Sequence, residues 1–282
     1  MSASYVLTVS CPDKIGIVSK VSTFLADHQC MITEANHHAD EELDMFFMRN
    51  EISNLNMSEE SFKLKFLDIA QQFDMQWKLS SGAKKKRVII MVSKQDHCLY
   101  DLLYRWKSGE MDYDIPCVIS NHLDLKGLVE WHGIPYVHIP VTPDNKSQAF
   151  SEVVKWVEHY QADTIVLARY MQIIPPDLCR QYPGQIINIH HSFLPSFIGA
   201  RPYHQAFERG VKLIGATCHY VTEELDAGPI IEQDVRRVSH SESADEMVVL
   251  GKDVEKNALA RGLKHHLEDR VLLSGNKTIV FA

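Results

Sequence analysis

Asn188 and His190 stand two residues apart at the end of an apolar run, Gln185-Ile186-Ile187-Asn188-Ile189-His190. On an extended chain that spacing sends both side chains from one face. An amide and an imidazole presented together can donate hydrogen bonds to an oxygen that gains negative charge. Asp226, in the turn Leu225-Asp226-Ala227-Gly228-Pro229, adds a carboxylate able to orient the imidazole and move a proton. These three groups suit acyl transfer through a tetrahedral intermediate. Taken alone, the same residues also serve as strand-end and turn caps, so the surrounding string has to decide between the two.

That string is long. Asn188-Ile189-His190-His191-Ser192-Phe193-Leu194-Pro195 is followed by Gly199-Ala200-Arg201-Pro202-Tyr203, then Gly215-Ala216-Thr217-Cys218-His219-Tyr220, then Leu225-Asp226 with Gly228-Pro229. Over residues 86–282 the chain resembles the folate-dependent formyltransferase family. The resemblance implies Asn188, His190 and Asp226 as the catalytic set and the stretch 166–174 as a pterin-binding segment. Within it, Leu167, Ile173 and Ile174 would form apolar walls, and Tyr170, Met171 and Gln172 would frame the ring, with Glu223 and Glu224 completing the folate site. Arg201 and Tyr203 fall where an acceptor-side wall is expected and are assigned no chemistry. His191 stands where ribonucleotide-type relatives commonly have proline; holding the attacking water and simple packing both remain open for it. Cys218 reads as a small buried apolar residue.

The acceptor is argued from what one loop lacks. Relatives that formylate a phosphorylated ribonucleotide carry a glycine-rich turn whose amides hold the phosphate. Here that turn reads Val92-Ser93-Lys94-Gln95-Asp96-His97-Cys98, without a glycine. Nor does a C-terminal RNA-binding domain follow, of the kind carried by relatives that act on initiator tRNA. Water is therefore the expected acceptor, and the implied reaction is hydrolysis of 10-formyltetrahydrofolate to tetrahydrofolate and formate. Folate is then the substrate, with no cofactor and no metal. Transfer of the formyl group to an amine, and a non-catalytic amino-acid-sensing role, stay open as alternatives.

These residues need elements to position them. Strands are expected near 87–92, 114–120, 135–139, 163–168 and 186–190, alternating with helices near 97–108, 124–132 and 147–160. This alternation predicts right-handed βαβ units and a Rossmann-like, mostly parallel sheet, α/β in class. Ser243-Ala244-Asp245-Glu246 is a capping box opening a long helix with Met247, Leu250, Val254, Ala258, Leu263 and Leu267 on its buried face. Val271–Leu273 and Thr278–Phe281 close the chain as a hairpin.

Before this lies a smaller pattern. Tyr5–Val9 predicts a strand, Asp13 an N-cap, and Ile15, Val18, Val21 and Leu25 a helical face. Strands near 31–38 and 43–50, a helix with Phe62, Phe66, Ile69 and Phe73 as a core stripe, and a strand at 75–79 complete a ferredoxin-like βαββαβ order. With Asp13, Gly16 and Val18 after the first strand, it resembles the ACT domains that bind small amino acids between subunits. The resemblance implies Asp13, Gly16 and Asn36 as effector contacts, glycine or methionine as effector, and a homo-oligomer. The adjacent His37 and His38 point to opposite faces of a strand and do not suit a shared metal ion. Two domains are expected, 1–82 and 83–282, joined through Ser80-Ser81-Gly82-Ala83 and a basic run.

Composition sets the remaining bounds. A net charge of −8 disfavours nucleic acid and anionic membrane as partners. The acid excess sits in residues 1–82. Six cysteines without a Cys-x-x-Cys suggest reduced thiols and a cytoplasmic protein. No apolar run approaches the ~20 residues of a membrane span.

Overall fold

The computed structural model describes residues 4–195 and 202–282. Gly199, Ala200 and Arg201 of the family-like string lie outside the described residues. By internal contacts the chain divides into two units, one of residues 1–85, 268–274 and 278–282, the other of 86–267 and 275–277. The sequence reading leaves the closing hairpin with the larger domain, whereas most of its residues group with the N-terminal unit.

In the N-terminal unit, β1 (Tyr5–Pro12), α1 (Ile17–Asp27), β2 (Met31–Asp40), β3 (Met45–Ser53), α2 (Glu59–Gln72) and β4 (Gln76–Ser81) form an antiparallel sheet in the order β2-β3-β1-β4. Alternation along β1 buries Leu7, Val9 and Cys11 against Val21, Leu25, Phe62 and Phe66. Ser58 caps α2, its hydroxyl accepting from the Ser61 amide at 3.2 Å. The first helix differs from expectation. Asp13 does not cap it; Gly16, in a left-handed conformation at φ 98°, is the N-cap, and helix begins at Ile17. The buried face is accordingly Ile17, Val21, Phe24 and Leu25, while Ile15 and Val18 are exposed. The physical reason is that the segment 13–16 is spent on leaving the sheet, with the Asp13 amide donating to the Asp44 carbonyl at 2.9 Å.

The larger unit holds β5 (Val88–Val92), α3 (His97–Ser108), β6 (Val118–Ser120), α4 (Lys126–Trp131), β7 (Tyr136–His138), α5 (Lys146–Tyr160), β8 (Thr164–Leu167), α6 (Pro176–Gln181), β9 (Ile186–His190), α7 (Pro202–Arg209), β10 (Leu213–Tyr220), β11 (Ile230–Arg237) and α8 (Ala244–Leu267). Its seven strands run in the order β11-β10-β9-β8-β5-β6-β7. The five from β9 to β7 are parallel, with β10 and β11 added antiparallel at one edge. β5 and β8 are buried along their whole length, as strands covered on both faces must be. The capping box of α8 forms as its sequence predicts: the Ser243 amide donates to Glu246 Oε2 at 2.7 Å and the Glu246 amide to Ser243 Oγ at 3.3 Å. The hairpin β12 (Val271–Ser274) and β13 (Lys277–Val280) ends the chain, with Leu272 and Phe281 packed on Phe47.

Candidate active site

The carboxyl ends of β8 and β9 open into a cleft of about 610 Å³, where an open α/β sheet places its ligands. Asn188 and His190 both face it from β9. β10 pairs antiparallel with β9 so that His219 stands opposite Asn188. His219 Nδ1 lies 2.9 Å from the Tyr220 carbonyl, which can only accept, so this nitrogen carries the proton. Nε2 is left to accept from the Asn188 amide at 3.1 Å. One N–H of Asn188 is thereby fixed and the other stays available to a ligand. Burial holds the His219 pKa below its ordinary value, outweighing the nearby Asp226 charge. The 3.8 Å separation of His219 Nε2 and Asp226 Oδ1 therefore sets two acceptors side by side rather than forming an ion pair.

Asp226 reaches His190 Nδ1 at 3.3 Å. It does so from a left-handed conformation at φ 54°, which aspartate tolerates better than most residues. Two residues on, Gly228 has to be glycine, because an added Cβ would run into the Tyr220 carbonyl. The turn is thus seated against the end of β10, and its carboxylate is set by backbone packing. Burial acts to raise the Asp226 pKa, but the hydrogen bond and charge of His190, with His219 and His191, prevail and hold it below the ordinary carboxylate value. His190 Nε2 is buried and has no hydrogen-bond partner among the described residues. A buried ring nitrogen in that condition is short of a hydrogen bond that a ligand in the cleft can supply.

Of the residues expected to meet folate, Leu167, Tyr170, Met171, Gln172, Ile173, Ile174 and Glu223 line the cleft, and Glu224 does not. Leu167 and Ile174 are buried, while Met171 and Ile173 are more than half exposed. The Tyr170 hydroxyl is buried without a partner among the described residues. Ser93 fixes the turn, accepting from the Met171 amide at 2.9 Å and donating to Asn121 Oδ1 at 2.7 Å. Glu223 is ion-paired with Arg180 of α6. Cys218 is buried against Gly262 of α8.

Several lining residues escape the sequence reading. Tyr203, named there without chemistry, donates its hydroxyl to Glu255 Oε1 at 2.8 Å. Glu255 Oε2 lies 2.8 Å from His97 Nε2 and 3.3 Å from Arg169 Nε. His97, Cys98 and Glu255 are also near enough to share an ion. Burial drives the Cys98 thiol well above its ordinary pKa, away from the thiolate that binds metal, and Glu255 is already engaged by hydrogen bonds from His97 and Tyr203 and by the Arg169 charge, so His97 and Glu255 belong to a hydrogen-bond network. His191 lies beside His190, their ring centroids 5.3 Å apart. Burial, then the Arg169 charge, pushes its pKa down to about 4, so its ring is neutral near pH 7.

The N-terminal unit offers no such convergence. Asp13 is exposed beyond the end of β1, and Asn36, on the edge strand β2, donates to Glu34 Oε1 at 2.7 Å. In register, Asn36 is level with Arg49 and Thr8, while Pro12 is level with Met45 and Asp40. Four residues of strand, roughly 13 Å, separate those rows, so within one chain Asp13 and Asn36 do not meet.

Comparison with known proteins identifies the families of both units. The Formyl transferase family matches residues 86–263 and the ACT domain family residues 5–58. A formyltetrahydrofolate deformylase of Bacillus subtilis is 49% identical over 278 residues, covering 98% of this chain and 93% of that protein. The crystal structure of a formyltetrahydrofolate deformylase from Pseudomonas syringae pv. tomato superposes with a TM-score of 0.98 at 61% identity, over 100% of this chain and 95% of that one. A phosphoribosylglycinamide formyltransferase from Anaplasma phagocytophilum matches 71% of this chain and 96% of its own, at 30% identity and a TM-score of 0.64. The transferase thus shares only part of the chain, whereas the first two share nearly all of it. With both units matched and the asparagine, histidine and aspartate gathered in one cleft, the chain belongs to the formyltetrahydrofolate deformylase family.

Proposed function

We propose that this chain hydrolyses 10-formyltetrahydrofolate to tetrahydrofolate and formate, using Asn188, His190 and Asp226. The observation that carries the reading is the disposition of His190: Nδ1 lies 3.3 Å from an ionised Asp226, and Nε2 is buried without a partner among the described residues, in the cleft that Asn188 also lines. Water attacks the formyl carbon. The free N–H of Asn188 and a proton on His190 Nε2 stabilise the oxyanion, while Asp226 balances the imidazolium and helps pass a proton to the departing N10. Leu167, Ile173 and Ile174 with Tyr170, Met171 and Gln172 hold the pterin, and Glu223 completes the site. Folate is the substrate, and no cofactor or metal takes part.

The ACT unit supports a regulatory reading. An amino acid, glycine or methionine, binds where Asp13 and Gly16 of one copy approach Asn36 of another, so that the protein works as a homo-oligomer. The reaction then sets the one-carbon supply for purine synthesis in the cytoplasm. Among the described residues no helix is long and apolar enough to cross a membrane.

The direct experiment supplies 10-formyltetrahydrofolate without an amine and measures formate, with Asp226→Asn alongside. Release that vanishes in the variant is the expected result. Folate binding without any release by the unaltered protein overturns the reading.

A further inference from the structure

Arg169 follows β8 with a φ of 64°. A bulky residue in this left-handed region is strained and persists only where its surroundings over-determine it. Those surroundings are specific. Arg169 Nε lies 3.3 Å from Gln95 Oε1 and 3.3 Å from Glu255 Oε2. Glu255, 1% exposed on α8, also takes His97 from the start of α3 and Tyr203 from α7. One turn earlier on α8, Gly251 has to lack a Cβ because the Tyr203 ring occupies that space. Burial tends to raise the Glu255 pKa, yet the His97 hydrogen bond and the Arg169 charge outweigh it, so the group stays ionised.

Stability alone does not account for such a pair. Replacing a buried ion pair by apolar side chains is commonly neutral or stabilising. Four elements and a strained backbone are nevertheless committed to it, on the wall of the cleft that holds the proposed reacting groups. Its chemistry is one-sided. The Glu255 carboxylate is occupied by hydrogen bonds from His97 and Tyr203 and by the Arg169 charge, and a guanidinium has no lone pair to offer. An amine reaches such a site as an ammonium ion; it must lose a proton and be oriented by acceptors. Along this stretch the acceptors, Gln95 Oε1 and the Glu255 carboxylate, are already engaged by Arg169, and a guanidinium repels an ammonium ion. Water needs fewer contacts, and the neutral His191 ring beside His190 can give one.

We infer that Arg169, held in place by Glu255, determines acceptor specificity: it closes the cleft between Gln95 and Glu255 to amines and leaves water as the nucleophile. The inference rests on the hydrolytic function proposed above. In hydrolysis the formyl carbon–N10 bond breaks, the water oxygen bonds to the carbon, and one water proton reaches N10 while the other leaves with ionisation of formic acid. In transfer the amine nitrogen bonds to the carbon and its proton goes to N10. The two outcomes are balanced and differ only in what the cleft admits.

The test adds glycinamide to 10-formyltetrahydrofolate and measures formate and N-formylglycinamide together. The unaltered protein is expected to give formate with only a trace of formyl amide, and that trace sets the reference ratio. Arg169→Gly, which suits the left-handed backbone, is expected to raise the ratio of formyl amide to formate at least about 10-fold. Its KM for folate should change by less than about threefold while kcat for formate falls. Glu255→Gln, which loosens Arg169 without emptying the site, should give a smaller rise, and Arg169→Lys should restore preference for water. An unchanged ratio in Arg169→Gly overturns the inference. If that variant does not fold, Glu255→Gln decides by the same ratio. A protein that releases no formate with or without the amine would instead sink the hydrolytic reading, a separate failure.

Discussion

The two units treat their candidate ligand contacts in opposite ways. In the larger one, residues from β9, β10 and the turn at 225–229 converge, with Asn188 at 3.1 Å from His219 and His190 at 3.3 Å from Asp226. In the smaller one, Asp13 and Asn36 lie in different rows of the sheet and stay apart. A site assembled within one chain is complete when that chain folds. One divided between the exposed end of β1 and an edge strand needs a second surface to close it, which suits a response to concentration or assembly better than it suits chemistry.

The most direct way to break this contrast is at Asp226. Asp226→Asn keeps the size of the side chain and removes its charge, and turnover should fall about 10²-fold or more with folate affinity nearly kept; near-normal formate release would remove Asp226 from the chemistry. His190→Ala should cost a comparable factor of about 10² in kcat. A loss confined to KM would mean that His190 only binds. Gly228→Ala pushes a methyl group into the Tyr220 carbonyl and displaces the Asp226 turn, so turnover should fall roughly 10-fold with a lowered Tm. Unchanged activity there would show that the carboxylate is not set by backbone packing.

His191 gives a subtler test. Its folded pKa of about 4 lies below the ordinary 6.5, through burial first and the Arg169 charge second, against the opposing pull of Glu255 and Asp226. Between those values the unfolded chain binds the proton more readily. Stability should therefore fall as pH drops from 6.5 to 4, by at most about 3 kcal/mol from this group. Unfolding measured across that range should be flatter in His191→Gln, and an identical slope would refute the assignment. The smallest effect belongs to the other unit. Asp13→Ala should leave formate release without effector within about twofold while abolishing any response to glycine or methionine. A large loss of basal turnover would erase the distinction between the units.

The trio was legible because its signals are local. A strand ending in Asn-x-His and a turn at Asp-x-Gly-Pro can be read from neighbouring residues, and the alternation of strands and helices predicts the parallel sheet that aims them. His219 was hidden because its relation to Asn188 exists only in the antiparallel register of β9 and β10. Glu255 was harder still. Its helix reads as amphipathic with a sound cap, and a carboxylate on it looks solvated until His97, Arg169 and Tyr203 arrive from three other elements. Near Asp13 the error was one of chain geometry: glycine in a left-handed conformation took the capping position, and helix began later.

All six cysteines are buried, and burial raises the pKa of every one. Thiolate is the reactive species, so the native protein should be nearly silent toward maleimides. One new thiol on an exposed position would then be modified alone. Met171→Cys would place such a handle on the lining of the cleft, where a fluorophore would report ligand arrival from a single, unambiguous address without first stripping out the natural cysteines.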